Sequence, residues 1–277
     1  MEILHVTHPL DGLPFQEPSV MALGFFDGVH LGHQCLLQKA RVLARQAHLP
    51  FTVMTFDPHP SEIIEKTDRR YLTPLPAKLE RLASLGAEKV YIVRFNPLFA
   101  SLQPSEFIRQ YIVGLNVKHV VVGFDYRFGC KAAGDVQSLK NSPHTFDVTV
   151  IPKMTNKHQK ISSTLIRKLI SDGDVHLVPH YLGNHYEIGG RITFRQQKRV
   201  YFCMENKYFS PKPGIYQVEI TNGLKRCLGL LKCYDSIPNW FELMDVDLNV
   251  LEGGEQRRFT VKLLNQAIDM GGAAALA

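Results

Sequence analysis

The sequence predicts a two-domain protein: a doubly wound α/β domain with a parallel sheet over residues 1–183, then a small all-β domain, a barrel, over residues 184–277. Three observations predict it. Through about residue 183, short β-branched and aromatic runs alternate with longer segments of helical period. Runs such as Val120-Val121-Val122 have no polar face, which suits strands covered on both sides by helices. After Gly183 the texture changes to short strands separated by turn residues, with no helical period between them.

The first strand is read at Ser19 to Leu23. A helix beginning near Leu31 follows, because Leu36, Ala40, Leu43 and Ala47 recur at three and four residues and place one apolar stripe on it. Strand Phe51 to Phe56 comes next, then a helix from Pro74 to Leu85 with Thr73 as cap, Pro74 at its first position and Gly86 as its stop. Strand Lys89 to Arg94, a helix from Pro104 to Val113, and strands His119 to Gly123 and Val148 to Ile151 continue the alternation. The last helix of the domain runs from Ser162 to Ile170 and ends at Asp172-Gly173. In the second domain the strands are Gly189 to Phe194, Val200 to Met204, Ile215 to Ile220 and Leu228 to Lys232, with a closing helix near Phe259 to Ile268 and a frayed tail from Gly271.

Composition narrows the function classes. The 277 residues are 45% hydrophobic and 21% charged, ordinary globular values that argue against disorder and fibrous architecture. No basic start followed by an apolar run opens the chain, and no stretch offers about 18 consecutive apolar residues, so neither a secretory signal nor a membrane span is expected and the protein is placed in the cytoplasm. The five cysteines are scattered without the paired spacing of zinc sites and read as free thiols. A net charge of +6 suits anions, but the Lys and Arg residues are spread along the chain. Their densest cluster, Arg191 to Arg199, lacks aromatic interleaving. Phosphorylated small molecules therefore fit better than nucleic acid.

The most informative segment is Gly24-Phe25-Phe26-Asp27-Gly28-Val29-His30-Leu31-Gly32-His33, which joins the first strand to its helix. Glycines 24, 28 and 32 let the backbone turn sharply and approach a ligand, and the free amides and positive dipole end of the helix favour phosphate. His30 and His33, three residues apart, lie on one side of the first turn and can both donate to phosphate oxygens.

A second constellation, Lys160-Ile161-Ser162-Ser163-Thr164-Leu165-Ile166-Arg167, opens another helix. Ser162 or Ser163 caps it. Ser163 and Thr164 stand one turn from Arg167, so hydroxyls and a guanidinium share a face and can grip a second phosphate group. Two loops leave other strands where an open α/β sheet presents its ligand crevice. Asp57-Pro58-His59-Pro60 is either a gate over the site or a proline-locked connection. In Gly123-Phe124-Asp125-Tyr126-Arg127-Phe128-Gly129 the rings can flank a flat heterocycle and Asp125 can accept from an amine or hydroxyl, or the aromatics are simply packed.

Together, Gly24 to His33, Phe56 to Pro60, Val122 to Gly134 and Ile161 to Arg167 resemble the adenylyltransferase half of the bacterial bifunctional riboflavin kinase and FMN adenylyltransferase family, the FAD synthetases. The match covers roughly residues 19 to 183. Position 25, commonly Asn in that family, is Phe here. The resemblance implies a Rossmann-like nucleotidyltransferase domain in which the FMN phosphate attacks the α-phosphorus of ATP, giving FAD and pyrophosphate. It implies His30, His33 and Arg167 as catalytic residues. Gly24, Phe25, Asp27, Gly28, Gly32, Lys160, Ser163 and Thr164 are implied as ATP-binding, and Asp57, His59, Phe124, Asp125 and Phe128 as FMN-binding. Magnesium is expected to ride on the ATP phosphates, and no protein ligand is assigned to it.

The same resemblance makes the C-terminal domain a riboflavin-kinase-like barrel. In the family that kinase carries a Pro-Thr-Ala-Asn sequence whose threonine serves metal and nucleotide; none occurs here, and Phe202-Cys203-Met204-Glu205-Asn206 stands where it belongs. The expectation is therefore FMN adenylylation without riboflavin phosphorylation. The alternatives are the full bifunctional enzyme, a transferase with another phosphorylated acceptor, or a flavin-binding regulator without turnover.

Overall fold

The computed structural model describes residues 1–10, 15–194, 199–205, 207–235, 239–251 and 257–269. The chain divides into two compact units: residues 1–69 with 75–155, and residues 70–74 with 156–277. The second unit thus takes in residues 156–183, which the sequence division at 183 assigns to the first domain.

The first unit holds β1 (Glu2–Val6), β2 (Ser19–Leu23), β3 (Phe51–Asp57), β4 (Lys89–Arg94), β5 (Val117–Gly123) and β6 (Asp147–Ile151), in the order β1-β4-β3-β2-β5-β6. Every pairing is parallel. Its helices are α1 (Leu31–Ala47), α2 (Pro60–Ile64), α3 (Leu75–Ser84), α4 (Pro97–Ala100), α5 (Pro104–Phe107) and α6 (Val136–Lys140). The absence of a polar face on the strands is explained by two cores. Val20 and Ala22 of β2 join Leu36, Leu37 and Ala40 of α1 on one side of the sheet. Met21 and Leu23 join Phe107, Tyr111 and Val120 on the other. Because β3 and β4 lie to one side of β2 and β5 and β6 to the other, the strand order reverses at β2 and β5, and the carboxyl ends of these two strands open the ligand crevice of such a sheet.

Several features of this unit differ from expectation, the short helices α2, α4 and α6 among them. β1 was not foreseen: it is an edge strand whose residues are exposed or half-buried except Val6, so it has neither a buried run nor a clean alternation. The helix expected over Pro104 to Val113 is α-helical only to Phe107 and then π-helical from Ile108 to Val113.

The second unit contains β7 (Thr155–Asn156, its first residue in the other unit), β8 (Gln159–Lys160), α7 (Ser163–Asp172), α8 (Pro179–Leu182), β9 (Tyr186–Phe194), β10 (Val200–Met204), β11 (Gly214–Thr221), β12 (Arg226–Cys233), β13 (Trp240–Met244), α9 (Leu248–Leu251) and β14 (Arg258–Asp269). Strands β10-β13-β12-β11-β14-β9 close into an antiparallel barrel. The closing helix expected near Phe259 to Ile268 is instead the long strand β14. Phe259, Leu263 and Ala267 imitate a helical spacing, but Phe259, Val261 and Leu263 are all fully buried, the period of two that a barrel wall requires. Irregular register against β11 at Ile215/Tyr216 and Gln217/Val218 then lets the Leu263-Leu264 doublet pass without breaking the strand. The tail from Gly271 lies outside the described residues.

α7 belongs with the barrel for a visible reason. Gly173, which ends it with φ of 90°, lies so close to Gln266 of β14 that a Cβ there would overlap the Gln266 side chain, and the amide of Lys212 donates to the carbonyl of Ile170 (3.4 Å). Among the described residues, no helix is long and apolar enough to cross a membrane.

Candidate active site

The turn leaving β2 is conformationally unusual. Phe26 (φ 58°), Gly28 (φ 80°) and Val29 (φ 45°) occupy the left-handed region within four residues. For the β-branched Val29 this is a strained conformation of the kind that persists only where its surroundings enforce it. The side-chain Nε2 of Gln34 supplies part of that enforcement by donating to the Val29 carbonyl (2.8 Å). Phe26, fully buried, folds its ring back under Gly24, where any Cβ would come within 2.8 Å of it. Gly24 therefore accommodates the chain's own ring.

The outcome of the turn is a fixed pair of imidazoles at the start of α1. His30 is the N-cap of this helix: its Nδ1 accepts from the backbone amide of His33 (3.2 Å). A ring that accepts at Nδ1 carries its proton at Nε2 when neutral, so His30 can donate to a ligand from Nε2 only. The His33 ring stacks on it with centroids 3.6 Å apart and planes 13° apart, and meets the edge of Phe26 on another side at 5.3 Å. The Nδ1 of His33 is buried and finds no hydrogen-bond partner among the described residues. Burial, then the positive charges of His30 and Lys78, hold the His33 pKa well below the usual imidazole value. His33 is therefore neutral at pH 7. Asp27, 3% exposed, lies in the same turn.

The loop after β3 meets this turn directly. His59 caps α2, its Nδ1 accepting from the amide of Ser61 (3.1 Å) while Glu62 accepts from the amide of His59 (3.3 Å), and its ring stands edge-on to Phe25 at 4.5 Å. Asp57 is exposed at the end of β3 and precedes a cis Pro58. The structure thus brings Gly24, Phe25, Asp27, Gly28, His30, Gly32, His33, Asp57 and His59 into neighbouring turns at the carboxyl ends of adjacent strands β2 and β3.

At the end of β5, the other strand of the reversal, Phe124 is 43% exposed and Asp125 is exposed. Phe128 differs: it is buried in the core, with its ring 5.1 Å from Phe107 and 5.8 Å from Tyr126. It fixes the loop and offers no open face. Tyr126, one of the rings of this loop but not among the residues implied for FMN, has a buried hydroxyl with no hydrogen-bond partner among the described residues, and burial pushes its pKa up.

The remaining predicted residues belong to the second unit. Ser162, not Ser163, caps α7, its hydroxyl accepting from the amide of Leu165 (3.2 Å). Ser163 is left half-buried on the first turn and Thr164 exposed beside it. Arg167, one turn on, donates to the carbonyl of Arg70 (3.3 Å) with its guanidinium 5.8 Å from the Phe209 ring centroid. Lys160 ends β8, two residues before the cap. Among the described residues no group of three or more His, Cys, Asp and Glu is placed to hold a metal ion.

Residues 13–165 match the family model described as FAD synthetase. The chain belongs to the FAD synthetase family. It is 40% identical over 245 residues to the bifunctional riboflavin kinase/FMN adenylyltransferase of Bacillus subtilis, an alignment covering 81% of this chain and 76% of that one. To the protein named FAD synthetase from Listeria monocytogenes it is 31% identical over 239 residues, covering 83% and 94%. Among solved structures, one titled as a macrolide-efflux protein from Streptococcus pneumoniae superposes with a TM-score of 0.84 at 28% identity, over 97% of this chain and 92% of that one. As a member of the FAD synthetase family, the chain carries its Gly24 to His33 segment inside the matched region, and all but the last two residues of the run Ile161 to Arg167.

Proposed function

We propose that this protein adenylylates FMN: an oxygen of the FMN phosphate attacks the α-phosphorus of MgATP, a new P–O bond forms, the bond from the α-phosphorus to the bridging oxygen breaks, and pyrophosphate leaves with FAD as product. The observation that carries the reading is the stacked His30 and His33 pair at the amino end of α1, in a strained turn at the sheet's switch point. Amides, a helix dipole and two imidazoles converge there on the place where an anion is best stabilised. The buried, unpartnered Nδ1 of His33 is the kind of polar atom that a ligand or an ordered water satisfies.

In this mechanism the protein contributes positioning and charge neutralisation and forms no covalent intermediate. His30, through Nε2, and His33 hold the α-phosphoryl group as it becomes pentavalent; Gly24, Phe25, Asp27, Gly28 and Gly32 shape the turn around the nucleotide. Ser163, Thr164, Lys160 and Arg167 take the departing pyrophosphate, Arg167 by a fork of two N–H groups. Asp57, His59, Phe124 and Asp125 serve the flavin, with Phe128 behind them. Magnesium arrives on ATP, where it neutralises phosphate charge; a site that borrows most of its ligands from the nucleotide needs no protein cage.

The barrel is assigned no riboflavin kinase activity. Where the family's threonine motif belongs, Phe202 and Met204 are buried in the barrel core and Glu205 is gripped by Arg258 through two nitrogens (2.7 and 3.2 Å). Alignment over 94% of the relative named simply FAD synthetase, against 76% of the bifunctional one, supports the same reading. The bifunctional reading is favoured by one observation, the 40% identity to the Bacillus subtilis enzyme over 81% of this chain. Labelled ATP tests the chemistry: label at the α-phosphorus should appear in FAD and label at the γ-phosphorus in pyrophosphate. Label in FMN, or hydrolysis of ATP without FAD, overturns the assignment.

A further inference from the structure

The turn that carries His30 and His33 rests on a buried cation. Lys78, on α3, is 2% exposed, a rare state for a lysine. Its Nζ donates to the carbonyl of Phe25 (3.0 Å) and to Oγ1 of Thr55 (3.2 Å), and the Phe25 ring centroid is 4.0 Å away. Thr55, also buried, donates its own hydroxyl to the same Phe25 carbonyl (2.9 Å). Asp27, in the turn after β2, and Asp57, at the end of β3, act electrostatically on the ammonium, and His33 feels its charge from α1. Burial lowers the Lys78 pKa to about 8, which still leaves the amine mostly protonated at neutral pH.

Packing alone does not account for this residue. A methionine fills nearly the same volume without the cost of desolvating a charge, so a lysine here is expensive unless its charge and donors are used. They converge on Phe25, which links the end of β2 to the left-handed Phe26 and whose ring also meets that of His59 edge-on. Phe25 is held at its carbonyl and at its ring by one amine.

We propose that Lys78 is a positioning residue for adenylyl transfer: its ammonium clamps Phe25 and so fixes the turn from which His30 and His33 project, while placing one positive charge beneath the phosphate-binding loop. The proposal rests on the functional reading above. Lys78→Met in the full chain should fold with unchanged or raised thermal stability while kcat for FAD formation falls about 30- to 100-fold, with KM for MgATP and FMN within about threefold. Lys78→Ala should regain at least tenfold of its lost activity with ethylamine or propylamine, and not with propanol, because the amine and not the filled space is required. Thr55→Val, which removes only the hydroxyl sharing the Phe25 carbonyl, should lower kcat by about three- to tenfold. Lys78→Met within twofold of wild type, or rescue by propanol equal to rescue by amine, overturns the proposal; should Lys78→Met fail to fold, a fully active Thr55→Val overturns it. A wild-type chain that makes no FAD defeats the functional reading instead, so the two failures are distinguishable.

Discussion

Gly32→Ala separates the geometry of the histidine pair from the stability of the fold. Gly32 is the second residue of α1, and a Cβ built on it lies 3.1 Å from Cε1 and 3.2 Å from Nδ1 of His30. Ordinary contact begins near about 3.4 Å, so the imidazole must retreat by a few tenths of an ångström, and it cannot do so without straining the hydrogen bond that Nδ1 accepts from His33 and the stack of the two rings. Two stability effects then oppose each other: a weakened N-cap costs about 0.5–2 kcal/mol, and replacing glycine by alanine within a helix returns up to about 1 kcal/mol. Their near-cancellation predicts a midpoint of thermal unfolding within a few degrees of wild type. Catalysis has no such compensation, since displacing a phosphate-holding group by even part of an ångström is expected to lower kcat about tenfold or more. Steady-state FAD formation from FMN and MgATP, read beside thermal unfolding, is the assay. A Gly32→Ala protein with wild-type kcat would refute the claim that the His30 ring position matters.

Other consequences can be checked on the same preparation. Arg167→Lys keeps the charge but loses the planar fork, so kcat/KM for MgATP should fall about 10- to 100-fold, roughly 1.4–2.8 kcal/mol, measured by steady-state kinetics. Because the folded-state pKa of His33 is depressed, the unfolded chain binds the extra proton first as pH falls below about 6.5; the stability this group contributes is present above that pH and is lost toward the folded value. Wild type should therefore lose more thermal stability between pH 7.5 and 5 than His33→Gln, as followed by circular dichroism. Phe124→Ala, at an exposed ring, should raise KM for FMN about five- to tenfold and leave unfolding within about 0.5 kcal/mol of wild type.

Where burial is complete, the pattern of residues was enough to locate the elements. The unbroken apolar runs of β2, β3, β4 and β5 are buried on both faces, so their position and their parallel pairing were legible, and the Gly24 to His33 segment stood out because strand, glycines and helix start coincide. Half-exposed β1 left no comparable trace. β14 misled because its apolar residues satisfy a period of four as well as a period of two, and only closure of the barrel decides between them. The candidate histidines were readable, but not that His30 spends Nδ1 on the helix cap, nor that Phe128 is core, since both depend on side-chain direction within a turn. Lys78 was invisible for a related reason: on α3 it reads as an ordinary solvated lysine, and only the proximity of β2 and β3 reveals its partners.

The central claim is that one chemical step, adenylyl transfer to FMN, belongs to this chain. Chromatographic product analysis with MgATP, offering riboflavin in one reaction and FMN in another, tests it most directly. The account predicts FAD from FMN and no product from riboflavin; FMN or FAD formed from riboflavin, or no FAD formed from FMN, would contradict it.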